Sequence, residues 1–327
     1  MAIVVYDMGL KMTHHLRFLH HQKIRPIDPY SFKLTAMCYA TRWDFDGERA
    51  YIPYFMGEKA FCLVVYEEEG IVTMEIHGEK MDDEAIEQGI DIAERVMGLH
   101  ENIEPYYQII EDDPLLGIIP RKYRGLHMRA VPTLWEGVII GICQQNASFN
   151  QGWRMVVNLR KILGEEIVLQ GPKMVLKAMP KPDRIIRSPD KRIEARVGYR
   201  KETMIRIANA AIRNEMEPLE QIRGIGQYTA RLARIIAERK YDEFPIDRWF
   251  MRLIPYAYEG RDEAWPKKDI DNFSAKLWGR WRGLSAIMIT IVTAARPIRM
   301  AIESISRGDL DIMSLTPSPM TLWRVEL

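Results

Sequence analysis

The pattern of apolar positions changes about a third of the way along the chain. Residues 1 to about 80 contain short runs rich in β-branched and aromatic residues, separated by charged or glycine-containing turns, which favours strands. Apolar residues then recur at helical spacing between about 82 and 98. The predicted strands are FKLTAMCYA, AYIPYFM, KAFCLVVYE and GIVTMEIHG. We therefore predict a small antiparallel sheet with a helix on one face.

From about residue 101 the pattern becomes helical. Thr133 and Glu136 have the spacing of a capping box and follow Pro132, which predicts that an apolar helix begins there and runs to about Cys143. Glycine and proline residues interrupt the later helical stretches. We expect these stretches at 150–163, 173–179, 189–196, 201–214, 217–222, 228–240, 247–258 and 270–300.

These elements predict an α+β chain in three parts. Residues 1–105 form the small antiparallel β-sheet domain with its helix. Residues 106–300 form a mostly α-helical core, in which two helical subdomains enclose a cleft. Residues 301–327 form a tail with scattered proline and serine, which we expect to be a strap or partly mobile.

Composition places the chain among globular proteins. It has 327 residues, of which 47% are hydrophobic and 28% charged. No stretch approaches the roughly eighteen apolar residues of a membrane span, and the N-terminus lacks the pattern of a secretory signal. The three cysteines are far apart, which fits a reducing compartment and cannot supply the four thiolates of an iron–sulfur cluster. We expect a cytoplasmic or nucleoid location, or a nuclear one in a eukaryote.

The net charge of +1 hides an uneven distribution. Residues 121–300 carry 34 lysines and arginines against 19 aspartates and glutamates, whereas the rest carries 12 against 26. A basic segment of this kind attracts phosphates and releases their counterions on binding. A solvated charged surface would give the same balance, so charge alone leaves both interpretations open.

A pair of glycines gives the chain its most informative turn. Gly224 and Gly226 flank Ile225 between two helical patterns. Glycines so close together allow a tight turn that presents backbone N–H groups, and at the start of a helix from Tyr228 these donors suit a phosphate oxygen. Such a contact positions a protein on DNA without reading bases. A tight turn without any ligand would have the same sequence.

A carboxylate follows this turn at a defined distance. Pro245 disfavours helix for the residue before it, so the chain breaks there and Asp247 falls at the start of the next helix. Asp is a favoured N-cap residue, and Asp247 could serve only as a cap. The functional alternative is that its carboxylate faces DNA beside the hairpin.

Together these residues resemble the helix-hairpin-helix (HhH-GPD) DNA glycosylase superfamily. The pattern of that family is a leucine-led G-(I/V)-G hairpin, a helix and an (I/V)-D-x-x-x-x-R segment. The matching residues here are Leu219, Gly224 to Gly226, Thr229, Ala230, Ile246, Asp247 and Arg252.

Other segments agree with this resemblance, which covers about residues 25–300. GICQQNAS (141–148) is similar to the family's helix whose end penetrates the duplex, and GYRKETMIRIANA (198–210) to its G-(F/Y)-R segment. Residues 113–136 and 277–289 are most similar to the 3-methyladenine DNA glycosylase II branch, in which a small sheet domain precedes the helical domains.

The resemblance implies a monofunctional DNA glycosylase of base excision repair that acts on double-stranded DNA containing a damaged base, as a monomer and without a required cofactor. The enzyme would flip out a damaged purine, most simply an alkylated one, and hydrolyse its N-glycosidic bond with Asp247 as the catalytic carboxylate. Asn146 falls at the family's wedge position, although it could simply end a helix. The implied DNA contacts are Gly224, Ile225, Gly226, Gln227, Thr229, Gln145 and Asn146.

Departures from the family pattern refine the prediction of the reaction and of its substrate. Bifunctional members carry a lysine where this chain has Tyr228, and a phenol cannot form the Schiff base of a β-lyase. Two aromatic positions of the alkylpurine branch fall on Leu232 and Thr290, which keeps a deaminated or oxidised purine open. The candidate pocket aromatics are Tyr228, Trp278, Trp281 and Phe32, each of which could instead belong to the core.

The resemblance also implies a structural cation and leaves two alternatives. The family's hairpin often holds a monovalent cation, Na⁺ or K⁺, on backbone carbonyls, here those of Glu220, Ile222 and Ile225. The cysteine count argues against the members that carry an iron–sulfur cluster. The alternatives are a bifunctional 8-oxoguanine-type glycosylase and a non-catalytic helix-hairpin-helix DNA-binding protein.

Overall fold

The chain folds into one mixed sheet and a larger set of helices, as seen in a computed structural model. The structure describes residues 12–171, 174–188, 190, 194–313 and 315–327. The strands are β1 (Thr13–Ile24), β2 (Ala50–Met56), β3 (Lys59–Glu68), β4 (Ile71–Gly78), β5 (Glu166–Leu169) and β6 (Met174–Lys177). They follow the order β2-β3-β4-β1-β5-β6. The α+β fold class is confirmed.

The sheet differs from the prediction in two ways. β1 pairs antiparallel with β4 but parallel with β5, and β5 pairs with β6. The sheet is therefore not wholly antiparallel, and it recruits two strands from the segment that was assigned to the helical core. β1 escaped prediction because most of its residues are exposed and polar, so no alternation marks it.

The helices occupy most of the rest of the described chain. Their bounds are Phe32–Met37, Asp83–Met97, Glu104–Ile110, Ile118–Lys122, Leu134–Gln144, Phe149–Leu163, Pro182–Arg187, Lys201–Ile212, Gln227–Glu238, Arg248–Glu259, Lys267–Trp278, Arg282–Val292 and Ile298–Arg307. Single 3₁₀ turns lie at Gly198–Arg200, Leu219–Gln221, Gly279–Trp281 and Leu322–Arg324. The expected helix at 189–196 falls partly outside the described residues.

Three predicted elements are wrong in type or extent. FKLTAMCYA contains the helix Phe32–Met37, because the Ser31 side chain accepts a hydrogen bond from the Leu34 N–H and caps its first turn. The expected helix at 173–179 is strand β6, which pairs with the distant β5. The expected helix at 270–300 is broken at Gly279, whose φ of +54° ends one helix before the next begins.

Two predicted caps are confirmed. The Thr133 side chain accepts the Glu136 N–H at the start of the helix Leu134–Gln144. Asp247 caps the helix Arg248–Glu259 in the same way. Each cap satisfies a backbone donor that the first turn of a helix leaves without an intrahelical partner.

Two hydrophobic clusters meet at the cleft of the molecule. The first joins one face of the sheet and the helix Asp83–Met97 to the helices between 248 and 292. The second joins the helices between 134 and 163 to those between 201 and 238. Burial of this apolar surface is the main force that holds the parts together.

The described part of the C-terminal tail bridges both clusters. Met320 is buried in the first cluster and Leu322 in the second. The carbonyl of Pro319 also accepts a hydrogen bond from the Tyr39 N–H at 2.7 Å. The tail is thus a strap that is held by packing. None of the helices in the described residues combines the length and apolar character that crossing a bilayer requires.

Candidate active site

The turn between Leu219 and the helix Gln227–Glu238 has the geometry of a hairpin that can present backbone donors. Gly224 has a φ of +101°, a conformation that favours glycine, and the Ile225 N–H donates to the Ile222 carbonyl at 2.9 Å. Ile225 is buried, whereas Gly224, Gly226 and Gln227 are exposed. No side chain caps the helix that begins at Gln227. Its first amides are therefore exposed donors beside the turn.

Gln145 holds this hairpin in place. Its side-chain nitrogen donates to the Gly224 carbonyl at 3.1 Å and to the Thr229 hydroxyl at 2.7 Å. Its own carbonyl accepts the Arg200 guanidinium. Thr229 is buried, so both polar side chains are engaged within the protein. Of the predicted DNA contacts, these two position the hairpin.

Asn146 lies at the tip of the same surface. It follows the helix Leu134–Gln144, is exposed, and has a φ of +47°. Its side-chain nitrogen approaches the Tyr199 hydroxyl at 3.5 Å, and the Tyr199 ring is 63% exposed with the Arg200 guanidinium stacked on it at 4.6 Å. A polar side chain and an aromatic ring thus project together beside the hairpin. Sequence reasoning noticed the Gly-Tyr-Arg segment but not the exposure of Tyr199.

Asp247 is fixed to the hairpin helix through the loop that precedes it. Phe244 and Ile246 are buried and anchor this loop, and Arg231 of the hairpin helix donates to the Phe244 carbonyl at 3.1 Å. The Asp247 carboxylate then accepts the Phe250 N–H at 2.9 Å. The cap leaves the carboxylate half-buried at the end of the helix.

Asp247 and Tyr228 line the same cleft, which has a volume of about 610 Å³. This volume is within the range of about 300–1,000 Å³ that is typical of small-ligand sites. The remaining walls are largely apolar and include Ile140, Leu232 and Ile287. The cleft could hold a purine base beside a carboxylate.

Two acidic residues besides Asp247 line the cleft, Asp44 and Glu136, and their pKa values are shifted in opposite directions. Arg160 binds the Asp44 carboxylate through two hydrogen bonds of 2.8 Å and, against the effect of burial, lowers its pKa to about 2. Burial raises the pKa of Glu136 to about 7.

Burial also raises the pKa of Asp247, although backbone N–H groups oppose this effect. Among the described residues, no lysine, arginine or histidine side chain shifts the pKa of Asp247. Burial raises the pKa of Tyr228, and the charge of Asp247 raises it further. A carboxylate that no cation neutralises, in a largely apolar cleft, is suited to stabilise positive charge on a ligand.

Three of the predicted pocket aromatics lie elsewhere and are withdrawn. Phe32, Trp278 and Trp281 are at most 8% exposed in the first hydrophobic cluster, and none lines the cleft. Trp278 donates to the Asp113 carboxylate at 3.1 Å and stacks on Phe244 at 5.8 Å. A large ring with a satisfied N–H commonly fills a core, and Trp278 here packs on Phe244 in the loop that carries Asp247.

The cleft contains other aromatic residues that sequence reasoning missed. Tyr39 stacks on Trp153 at a ring distance of 5.9 Å, and Phe149 lies 6.2 Å from Trp153. Trp249 follows Asp247 in the chain and also lines the cleft. Tyr39 was not predicted as a cleft residue, because it lies in the N-terminal segment that was interpreted as a strand.

The three hairpin carbonyls that the sequence predicts as ligands of a monovalent cation differ in the backbone hydrogen bonds that they accept. The Ile222 carbonyl accepts the Ile225 N–H, and a carbonyl oxygen has a second lone pair for a cation. Among the described residues, no backbone hydrogen bond outside regular elements ends on the carbonyls of Glu220 or Ile225. These groups therefore fit the proposed ligand set.

The described part of the chain contains no cluster of three or more histidine, cysteine, aspartate or glutamate side chains suited to a metal ion. Cys38, Cys62 and Cys143 are separate buried thiols.

Comparison with known proteins places this geometry in context. The chain is 27% identical over 165 residues to a DNA-3-methyladenine glycosylase of Bacillus subtilis, a match that covers 46% of this chain and 54% of that protein. The match thus spans about half the length of this curated relative. No protein-family model matches the chain.

Solved structures show a similar fold over most of the chain. A 3-methyladenine DNA glycosylase from Archaeoglobus fulgidus superposes with a TM-score of 0.69 at 17% identity and covers 82% of this chain and 96% of its own. The 8-oxoguanine glycosylase/lyase of Clostridium acetobutylicum superposes with a TM-score of 0.59 at 15% identity and covers 86% of this chain and 99% of its own. The curated and structural neighbours are thus glycosylases of the helix-hairpin-helix superfamily, and the predicted resemblance is confirmed.

Proposed function

We propose that this chain, which has the fold of the helix-hairpin-helix DNA glycosylases, is a monofunctional DNA glycosylase that hydrolyses alkylated purines from duplex DNA. The observation that carries the proposal is the cleft shared by Asp247 and Tyr228, next to a hairpin with exposed backbone donors. The curated relative is a DNA-3-methyladenine glycosylase, which favours an alkylated purine as the substrate.

The hairpin would bind the phosphate backbone. Exposed amides at the start of the helix Gln227–Glu238 can donate to a phosphate oxygen, and the helix dipole favours negative charge there. Lys267 and Lys268 are exposed and line a shallow depression together with Gly226 and Gln227, so they add positive charge beside the turn. A Na⁺ or K⁺ ion on the carbonyls of the hairpin would further strengthen its hold on phosphate. Binding should weaken steeply as salt rises.

Asp247 would act on the sugar of the extruded nucleotide. Cleavage of the N-glycosidic bond builds positive charge on that sugar, and an unneutralised carboxylate in a largely apolar cleft stabilises such charge. The same carboxylate can orient the attacking water and accept its proton. An alkylated purine already carries positive charge and therefore leaves without a strong general acid.

The residues of the cleft support hydrolysis rather than lyase chemistry. No lysine is among the described residues that line it, and Tyr228 cannot form a Schiff base. The alternative of an 8-oxoguanine-type or deaminated-purine glycosylase draws support from the presence of Leu232 and Thr290 in the cleft, where the alkylpurine branch has aromatic residues. A non-catalytic DNA-binding protein would need the hairpin but not Asp247.

The direct test is mass spectrometry of the bases that the purified full-length protein releases from alkylated, deaminated and oxidised duplex DNA. We expect release of methylated purines. Release of only 8-oxoguanine or hypoxanthine would show that the substrate is an oxidised or deaminated purine and not an alkylated one. No release from any of the three DNAs would overturn the enzymatic function.

A further inference from the structure

The cleft lies alongside two helices that pack closely against each other. One is the hairpin helix, and the other is Leu134–Gln144, here named the cleft helix. A Cβ at Gly137 of the cleft helix would lie 2.8 Å from the Ala233 carbonyl oxygen, whereas one at Gly141 would lie 3.0 Å from the Thr229 side chain. Residue numbers thus rise along one helix as they fall along the other, so the two helices are antiparallel.

Each of these helices turns one face toward the cleft. The residues that line it recur every four positions, which is the spacing of one helical face. They are Glu136, Ile140 and Gln144 on the cleft helix, and Ile236, Leu232 and Tyr228 on the hairpin helix. Eight residues of helix extend about 12 Å, and a purine is little longer than one helical turn of about 5.4 Å. The cleft is therefore longer than a single extruded base requires.

The two ends of the cleft differ in chemistry. Tyr228 and Asp247 lie together at one end, named the hairpin end, because the charge of Asp247 acts on the Tyr228 hydroxyl. The other end, named the sheet end, is lined by Glu136 and by Tyr51 and Pro53 of strand β2. In the proposed reaction the base and its sugar occupy the hairpin end. The sheet end is thus left for a further group on the same base.

Glu136 is the less satisfied of the two acids at the sheet end. Arg160 binds the Asp44 carboxylate through two hydrogen bonds of 2.8 Å. Among the described residues, the Glu136 carboxyl receives one side-chain hydrogen bond, of 3.4 Å, from the Thr133 hydroxyl. With a pKa of about 7, Glu136 is present in both its ionised and its protonated form near neutral pH. A hydroxyl group suits both forms, because it can donate to a carboxylate and accept from a carboxylic acid.

We propose that the sheet end of the cleft is a second subsite, in which Glu136 binds the terminal hydroxyl of a hydroxyalkyl substituent on the excised purine. Between the two ends, Ile140 and Leu232 provide apolar contacts for the alkyl carbons of that substituent. Hydroxyalkylated purines are then the substrates that use the full length of the cleft. This inference rests on the proposed glycosylase function, since it needs a purine at the hairpin end.

The test compares two substituents of equal size. Single-turnover excision is measured near neutral pH with the full-length protein on duplexes that contain one 7-(2-hydroxyethyl)guanine or one 7-propylguanine, in which a methyl group replaces the hydroxyl. The ratio of the two rates should fall by about 5- to 20-fold from the wild type to Glu136→Leu, which cannot form the hydrogen bond. Comparing the ratio between proteins removes any intrinsic difference between the two leaving bases.

Three further variants keep the test decisive. Glu136→Gln retains a hydrogen-bonding side chain of the same size and should keep most of the preference for the hydroxyethyl base. Glu303→Leu replaces an exposed glutamate that is outside the cleft and should change neither rate. If Glu136→Leu does not fold, Ile236→Trp replaces it. The larger ring fills the sheet end and should lower the ratio of 7-(2-hydroxyethyl)guanine to 7-methylguanine excision.

The outcomes separate this inference from the proposed function. A wild type that excises 7-methylguanine, with an unchanged hydroxyethyl-to-propyl ratio in folded Glu136→Leu, would overturn the subsite and leave the glycosylase function in place. Release of 7-methylguanine but of neither larger base by the wild type would do the same. A wild type that releases none of the three bases would overturn the proposed function, and the inference with it.

Discussion

The side-chain amide of Gln145 donates a hydrogen bond to the carbonyl of Gly224 at 3.1 Å. Gln145 immediately precedes the exposed Asn146, and Gly224 has the left-handed φ that shapes the hairpin. The hydrogen bond therefore ties the candidate wedge to the candidate phosphate site. A protein that grips a backbone and enters the duplex at one place needs these two parts at a fixed separation.

The two hairpin glycines give a matched pair of substitutions. A Cβ at Gly224 would lie 2.2 Å from the Thr203 hydroxyl oxygen at a φ of +101°, so Gly224→Ala should destabilise the fold by about 1–3 kcal/mol. A Cβ at Gly226 would meet no heavy atom within 4 Å. Gly226→Ala should therefore fold with only a small loss of stability, because alanine is a poorer N-cap.

Gly226→Ala would nevertheless place a methyl group where a phosphate must approach. We expect its affinity for undamaged duplex DNA to fall by about tenfold, measured by fluorescence anisotropy alongside thermal unfolding. Unchanged DNA affinity in Gly226→Ala would argue against the hairpin as the phosphate site.

The wedge can be removed without straining the backbone. Asn146 has a φ of +47°, so Asn146→Gly deletes the side chain and keeps the conformation. Loss of a side chain that fills the hole of an extruded base should slow excision from a paired duplex more than from a duplex in which the damaged base is mispaired. Single-turnover rates on the two duplexes measure this. An equal effect on both would show that Asn146 has no part in base extrusion.

Hydrolysis without lyase chemistry predicts the absence of a covalent intermediate. Borohydride traps a Schiff base between an amine and the sugar, and the position of the lysine nucleophile is occupied by Tyr228. We expect no trapped adduct on damaged DNA, with a known glycosylase/lyase as the positive control. A trapped adduct that maps to a lysine would instead assign the chain to the bifunctional class.

Local signals predicted the hairpin, the cap and the carboxylate. Gly224 permits the left-handed turn, Pro245 disfavours helix in the residue before it, and Asp247 favours an N-cap, so a short stretch of sequence determines this geometry. That is why this part of the site could be located before the fold was known.

The pocket wall could not be predicted in the same way. Tyr39 and Trp153 come from segments far apart in the chain, and only tertiary packing brings them into one cleft. Conversely, Trp278 and Trp281 were expected in the pocket, but their rings fill the core and do not line the cleft. Strands β5 and β6 have four residues each, too few for periodicity to distinguish them from helix.

The pH dependence of excision should follow Asp247. Its pKa is raised by burial, and only the ionised carboxylate can stabilise a cationic sugar. The rate should therefore fall as pH decreases through this raised pKa, at a higher pH than for an ordinary aspartate, and should be constant above it. Single-turnover rates from about pH 4 to pH 8 measure the profile.

Glu136 is the control for this profile, because it also titrates in the cleft with a pKa of about 7. Glu136→Gln should leave the acid limb in place. If the limb disappeared in Glu136→Gln, Glu136 rather than Asp247 would be the group that controls the rate.

The central claim is tested most directly by the rate of base release from a duplex with one 7-methylguanine by the wild type and by Asp247→Asn. Asparagine is an equally good N-cap, and it removes a half-buried charge, so the variant should unfold at the same temperature or higher and still bind DNA. Its single-turnover rate should fall by about 100-fold or more, equivalent to about 3 kcal/mol. Asp262→Asn, at an exposed carboxylate, should keep the full rate. Full activity in a folded Asp247→Asn variant would contradict the assignment of Asp247 as the catalytic residue.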